Sequence, residues 1–194
     1  MKMALSKRPA GGFSLLEVLV AIVVLSLGLL GAMSMLMASV RSATESGSFT
    51  AAVNLVRDLS EKARVNKHAS TQGAGTNPYL VDLKSSEPLP PLRGAECTGA
   101  AAHCDASDLA AWDVHHWVER ARRALPEAHV MVCFDDEPLD GNGASGWDCT
   151  HAGRTLVVKV GWRPRLGSED EMDAKQRRPR VVMQLVPGQS YHGV

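Results

Sequence analysis

A single carboxylate, Glu17, stands at the head of an apolar run that opens Gly12-Phe13-Ser14-Leu15-Leu16-Glu17-Val18-Leu19-Val20-Ala21. From Val18 to Val40 no residue carries a charge. As a helix that stretch covers about 34 Å, enough to cross a hydrocarbon core of about 30 Å. An ionised carboxylate costs on the order of 2.5 to 3.5 kcal/mol at a bilayer centre, so Glu17 asks for a partner of opposite charge. A cut after Gly12 would supply one, the α-amino group of Phe13, with Glu17 then the fifth residue of the shortened chain. Opposite unit charges about 4 Å apart attract by roughly 4 kcal/mol at an effective dielectric of about 20.

The remaining residues with chemical potential fall beyond the apolar run. Asp135, Asp136, Glu137, Asp140, Asn142 and Asp148 crowd a glycine-containing loop. They suggest a calcium site, since hard cations take six to eight oxygens (~6–8). The spacing departs from an EF-hand, however: Ala144 and His151 stand where ligands are required, and a solvated acidic hairpin is the simpler reading. His103, Asp105, His115 and His116 are candidate transition-metal ligands, but read more simply as solvent-facing groups. Lys175, Arg177, Arg178 and Arg180 suit phosphate contact. Glu169, Asp170, Glu171 and Asp173 precede them, so a charged turn guarding an edge strand is expected and nucleic acid is not. His151 near Asp148 has no activated serine for company, and no nucleophile, base and orienting acid gather anywhere. The chain is expected to be neither an enzyme nor a cofactor binder.

The N-terminal pattern also resembles a family. A short basic leader (Lys2, Lys7, Arg8) ending in glycine, then Phe13, Glu17 and an unbroken apolar helix, is similar to the class III signal segment of type IV pilins and pseudopilins. The resemblance implies cleavage after Gly12 by a membrane aspartyl prepilin peptidase, which methylates the new Phe13 amine. It also implies pairing of Glu17 with the Phe13 amine of a neighbouring subunit. An ordinary secretory signal would have an apolar core of about 7 to 15 residues and a small-residue cleavage site, which Ala38-Ser39 supplies only weakly. A plain anchor would need neither the acid nor the glycine before phenylalanine.

These residues need elements to place them. The leader 1–12 is expected to be removed, 13–40 to span the membrane and assemble, and 41–66 to continue the same helix. Phe49, Ala52, Val53, Val56, Ser60 and Ala63 recur in steps of three and four there, a stripe that must be covered. Gly28, Gly31 and Gly47 are either places where the helix bends or places where backbones approach closely in lipid. Residues 67–194 form the globular part, beginning with a breaker-rich surface excursion over 67–106. A helix over 107–125 follows, capped by Ser107 or Asp108 and stopped by Pro126. Its buried side is predicted to carry Ala110, Val114, Trp117, Val118, Ala121 and Leu125, with His115, His116, Glu119, Arg122 and Arg123 turned away.

Alternation at Val130, Val132, Phe134, then Leu156, Val158, Val160, Trp162, then Val181, Met183, Leu185 predicts three antiparallel strands within 128–186. The fold expected is α+β: a long N-terminal membrane-spanning helix packed on a small antiparallel sheet, with an extra helix and disulfide-tethered loops. That layout also resembles pilins, and among them the minor pilins called PilV, type IV pilus modification proteins.

Charge and cysteines set the compartment. The whole chain carries 21 basic and 21 acidic residues, and loss of the three leader cations leaves a net charge of about −3. The leader's positive charge keeps the N-terminus cytoplasmic and sends the rest outward, into the periplasm and then onto the pilus at the cell surface. Cys97, Cys104, Cys133 and Cys149 all lie in that oxidising part, so disulfides are expected. Three connectivities are open to four cysteines. Cys97 with Cys104 and Cys133 with Cys149 is favoured because each pair closes a short loop, the second contributing about 3 kcal/mol in the loop-entropy account. The function expected is a structural, minor subunit of a type IV pilus. The alternatives are a minor pseudopilin of a type II secretion system and a tip adhesin or DNA-uptake pilin. Expected partners are the prepilin peptidase, other major and minor pilins, the inner membrane and its assembly machinery.

Overall fold

The computed structural model describes residues 12–92, 96–99, 102–139, 141, 143–176 and 178–185. Lys2, Lys7, Arg8, Asp140, Asn142 and Arg177 lie outside the described residues, as does the side chain of Lys175. The chain divides into two compact units, 1–42 and 43–194, which the helix α1 (Leu15–Val65) joins without a break.

In the first unit α1 is the one described element. It is long and apolar enough to cross a membrane, and none of its apolar window is buried within the chain. Leu15 through Ser39 are all exposed. Ser26 and Ser34 turn their hydroxyls back to the carbonyls of Ile22 and Leu30, at 2.7 and 2.8 Å, so each hydroxyl donor is satisfied inside the helix. Among the three glycines expected to be weak points, Gly28 and Gly31 lie here and Gly47 in the second unit. All are helical, and nothing approaches within 4 Å of where a Cβ would stand.

In the second unit α1 is followed by a single turn, α2 (Lys67–Ser70), then β1 (Val81–Lys84), α3 (Ala106–Ala124), β2 (His129–Phe134), β3 (Leu156–Gly161), α4 (Glu169–Gln176) and β4 (Val181–Leu185). The sheet has four strands in the order β1-β2-β3-β4, every neighbour antiparallel. Three strands were expected. The fourth, β1, sits inside the segment read as a surface excursion, because four residues with two outward charges give little periodicity to detect.

Val130, Val132 and Phe134 of β2 face the same side as Leu156, Val158 and Val160 of β3. That side joins Ala52, Val56, Leu59 and Ala63 of α1 and the apolar side of α3 in one core. The covered stripe of α1 is rotated from the one predicted: Leu55 and Leu59 are buried, while Phe49 is 48% exposed. The six positions predicted to be buried on α3 are all buried. That helix starts one residue earlier than expected, and Asp105 caps it rather than Ser107 or Asp108, accepting from the amides of both at 2.8 Å. Polar ties hold α3 antiparallel beside α1. The Trp117 indole donates to the Leu55 carbonyl at 2.8 Å, Lys62 pairs with Asp113, and Arg120 pairs with Asp58.

The breaker-rich stretch before β1 is ordered by one buried amide. Asn77 donates to the carbonyls of Ser70 and Gln72 at 3.1 and 2.9 Å and accepts from the Tyr79 amide at 2.9 Å. These three bonds replace the ladder the segment lacks.

Candidate functional site

The residues expected to carry cleavage and assembly sit at the open end of α1. Gly12 and Phe13 precede the helix, and Phe13 is 83% exposed. Ser14 caps it: its hydroxyl accepts from the Leu16 amide at 3.3 Å, and its carbonyl accepts from the Glu17 and Val18 amides at 3.0 and 3.2 Å. Ser14 and Glu17 thus hold the Ser-x-x-Glu spacing of a helix start, with the carboxylate in the first turn where the helix dipole favours negative charge. Sequence reading missed this second role of Glu17, although the spacing announces it. Gly12, Phe13 and Glu17 together form an exposed, uncovered terminus, with a small residue at the expected cut and an acid one turn inside.

The second candidate region is the loop between β2 and β3, which folds back over the outer face of its own sheet. Every residue of β3 is buried, a pattern normally found where both faces of a strand are covered. Three contacts pin the loop there. Cys133 of β2 is bonded to Cys149 across a Cα separation of 6.4 Å. Lys159, in the middle of β3, reaches out to Asp135 Oδ2 at 2.7 Å and the Asp148 carbonyl at 2.5 Å. The Trp147 ring stacks on His129 at 3.7 Å and crosses onto Gly161, the register partner of His129. A Cβ at Gly161 would stand 2.7 Å from the Trp147 ring, so only glycine leaves room for it.

Lys159 and Asp135 are both about 1% exposed. Burial alone would push the Asp135 carboxyl up, but the bond to Lys159, its charge, and the Thr150 and Glu137 amides together hold it below the usual carboxylate range. Among the described residues of the suggested calcium set, Asp135 is satisfied by an ammonium, and what Asp148 offers Lys159 is its backbone carbonyl. Cys133, Asp135 and Cys149 are close enough for a metal, but the two sulfurs are bonded to each other and offer no thiolate.

The other candidates are separated by the fold. Asp105 is committed to its cap. His115 and His116 lie edge to face at 5.4 Å on α3, and His116 meets the Trp112 ring at a tilt, with centroids 4.3 Å apart, and approaches Glu119 at 3.4 Å. His103 is exposed beyond the helix start. Arg180 is not a free phosphate ligand, since it pairs with Glu45 and lies 4.1 Å over the Trp162 ring. His151 and Asp148 form no relay: the His151 amide donates to the Phe134 carbonyl, and its backbone has φ +52°. Cys97 is bonded to Cys104.

Comparison with known families agrees with this division. Residues 7–33 match the prokaryotic N-terminal methylation motif, and residues 34–115 match the family described as type IV pilin Tt1218. No curated protein and no solved structure matches the chain. The two matches adjoin, running from within the basic leader through the whole of α1, β1 and into α3. The four-stranded sheet laid against α1 and α3 is consistent with a type IV pilin fold, and both matches support that family for this chain.

Proposed function

We propose that this chain is a type IV pilin and a minor subunit of the pilus. A prepilin peptidase cuts it between Gly12 and Phe13 and methylates the Phe13 amine. Residues 13–40 hold it in the inner membrane with the leader side cytoplasmic and the globular part, 67–194, periplasmic. Glu17 then pairs with the Phe13 amine of a neighbouring subunit as the fibre assembles. The observation that carries this reading is the exposed terminus itself. Gly12 and Phe13 stand free before a capped, uncovered apolar helix whose first turn bears the only acid before Glu45. A methylation-motif match over residues 7–33 lies on those same residues. The minor role is supported by the extra helix α3 and the two disulfide-tethered loops. Intact mass of the chain recovered from sheared fibres tests both parts. The expected species begins at Phe13, carries one methyl group, and is present at a small fraction of the main subunit. An uncut chain, a start after Ala38, or abundance equal to the main subunit would overturn it.

A further inference from the structure

We propose that the open half of the sheet's outer face is a binding groove for a short neutral saccharide. It lies wholly within the second unit. Beneath the loop that follows β2 every residue of β3 is buried, but the cover ends there. The outward positions His129 and Met131 on β2 are half-buried, and their register partners on β1, Lys84 and Asp82, are exposed. With Trp147, Cys149 and His151 as one wall, this floor bounds a groove of about 1180 Å³. Ligand pockets typically enclose about 300 to 1,000 Å³, so the groove has room for a chain of rings rather than a single one. Among the described residues, the non-glycine residues at positive φ are Glu127 (+45°) and His151 (+52°), and both border it. Such backbone is costly, and it clusters where sites are shaped for a ligand.

The polar lining selects the ligand class. Asp82, Glu127 and Asp148 are interspersed with Lys84, His129 and His151. Glu127 is answered by Arg163 at 3.5 Å and Asp82 by His129 at 2.7 Å. Neither sign dominates, so a polyanion or a polycation would meet repulsion as well as attraction. A purely apolar ligand would cover these groups without giving them partners. Adjacent hydroxyls satisfy them, because each donates and accepts without carrying charge. Asp82 is prepared for such a ligand. His129 Nε2 holds one of its oxygens and is itself stacked on Trp147, while the Asp82 side chain stays 61% exposed, its second oxygen able to accept. Met131, 3.4 Å from the Cys149 sulfur, and the Trp147 ring supply apolar contact for the C–H face of a sugar.

Saturation-transfer NMR on the full chain tests this, in a polyoxyethylene detergent that carries no sugar headgroup. In detergent the chain forms no fibre, so the outcome is separate from its place in a pilus. The probes are maltotriose, cellotriose and chitotriose, with hexalysine and tripolyphosphate as the charged alternatives. At least one trisaccharide should bind with a Kd of about 1 mM or below, a modest affinity suited to an open groove, and neither charged probe should. Asp82→Asn, at an exposed position, should weaken that binding about tenfold, the worth of one hydrogen bond to a charged group. Glu61→Gln, on the helix that covers the opposite face of the sheet, should leave it unchanged. No binding by any of the trisaccharides, binding confined to a charged probe, or an affinity unaltered by Asp82→Asn would overturn the proposal.

Discussion

At the scale of single residues, two carboxylates show how position decides use. Glu17 lies in the first turn of an exposed helix, where it supports the helix start and remains open to a partner. Replacing it by glutamine keeps size and polarity and removes the charge. Cleavage after Gly12 should persist and the membrane fraction should hold or rise, while incorporation into fibres should fall roughly tenfold or more, for the loss of a pair worth a few kcal/mol. The ratio of fibre to membrane protein measures this, and equal incorporation would refute the pairing. Asp135 is the opposite case, buried against Lys159 inside a closed loop. Lys159→Met leaves that carboxylate without its cation and should cost about 3 to 5 kcal/mol; Lys159→Met with Asp135→Asn should recover most of it. Urea unfolding of the full chain in detergent compares the two, and a double variant no better than the single would contradict the ion-pair account. The sign with pH follows from the lowered carboxyl of Asp135. Its contribution is present above the unfolded carboxylate value of about 3.9 and disappears as pH falls through the lower folded value. Below about pH 4 the wild type should therefore lose stability more steeply than Asp135→Asn.

At the scale of elements, a period is legible where one face is strictly apolar and the other polar, as in α3, and blurs where it is not, as in the second half of α1, whose covered stripe includes Leu55 and Leu59 and leaves Phe49 exposed. The buried side of α3 and the alternation in β2, β3 and β4 follow from period alone. β1 escaped because a four-residue edge strand has too few positions for a period, and α4 because four acids in eight residues give no apolar face. Gly161 is the instructive residue. In the sequence it merely ends a strand, while in the fold it is the gap into which Trp147 lies against His129. Gly161→Ala should push the ring off that seat and cost about 1 to 3 kcal/mol, with a lowered thermal midpoint and an altered near-ultraviolet tryptophan signal. An unchanged spectrum would mean that Trp147 does not occupy the seat. The Asp105 cap is a lesser case, since three acceptors in sequence compete for one role and backbone geometry picks among them.

At the scale of the whole molecule, the chain combines an exposed apolar helix, long enough to cross a membrane, with a unit that carries two disulfides. The Cys133–Cys149 bond closes the loop that covers the outer face of the sheet. Cys133→Ala with Cys149→Ala should lower stability by about 3 kcal/mol and speed hydrogen exchange at β3, whose outer face would be uncovered. Protection of β3 unchanged by the double variant would show that Lys159 and Trp147 hold the loop unaided. What the sequence by itself determined was whatever depends on neighbours in the chain: the length of the apolar stretch, the glycine before phenylalanine, the acid one turn later, and the helix and strand periods. The pairing of cysteines favoured by short loops is also the pairing in the structure. Only the tertiary structure decided what depends on residues far apart. It placed β1 at the edge, turned the acidic loop into a cover fastened by a lysine from the strand beneath, and set Arg180 and Trp162 beside Glu45 and Phe49. The physical reason is that periodicity reports which face of an element is apolar, whereas a buried charge is tolerated only where a distant partner arrives, and nothing in local spacing reveals which partner that will be.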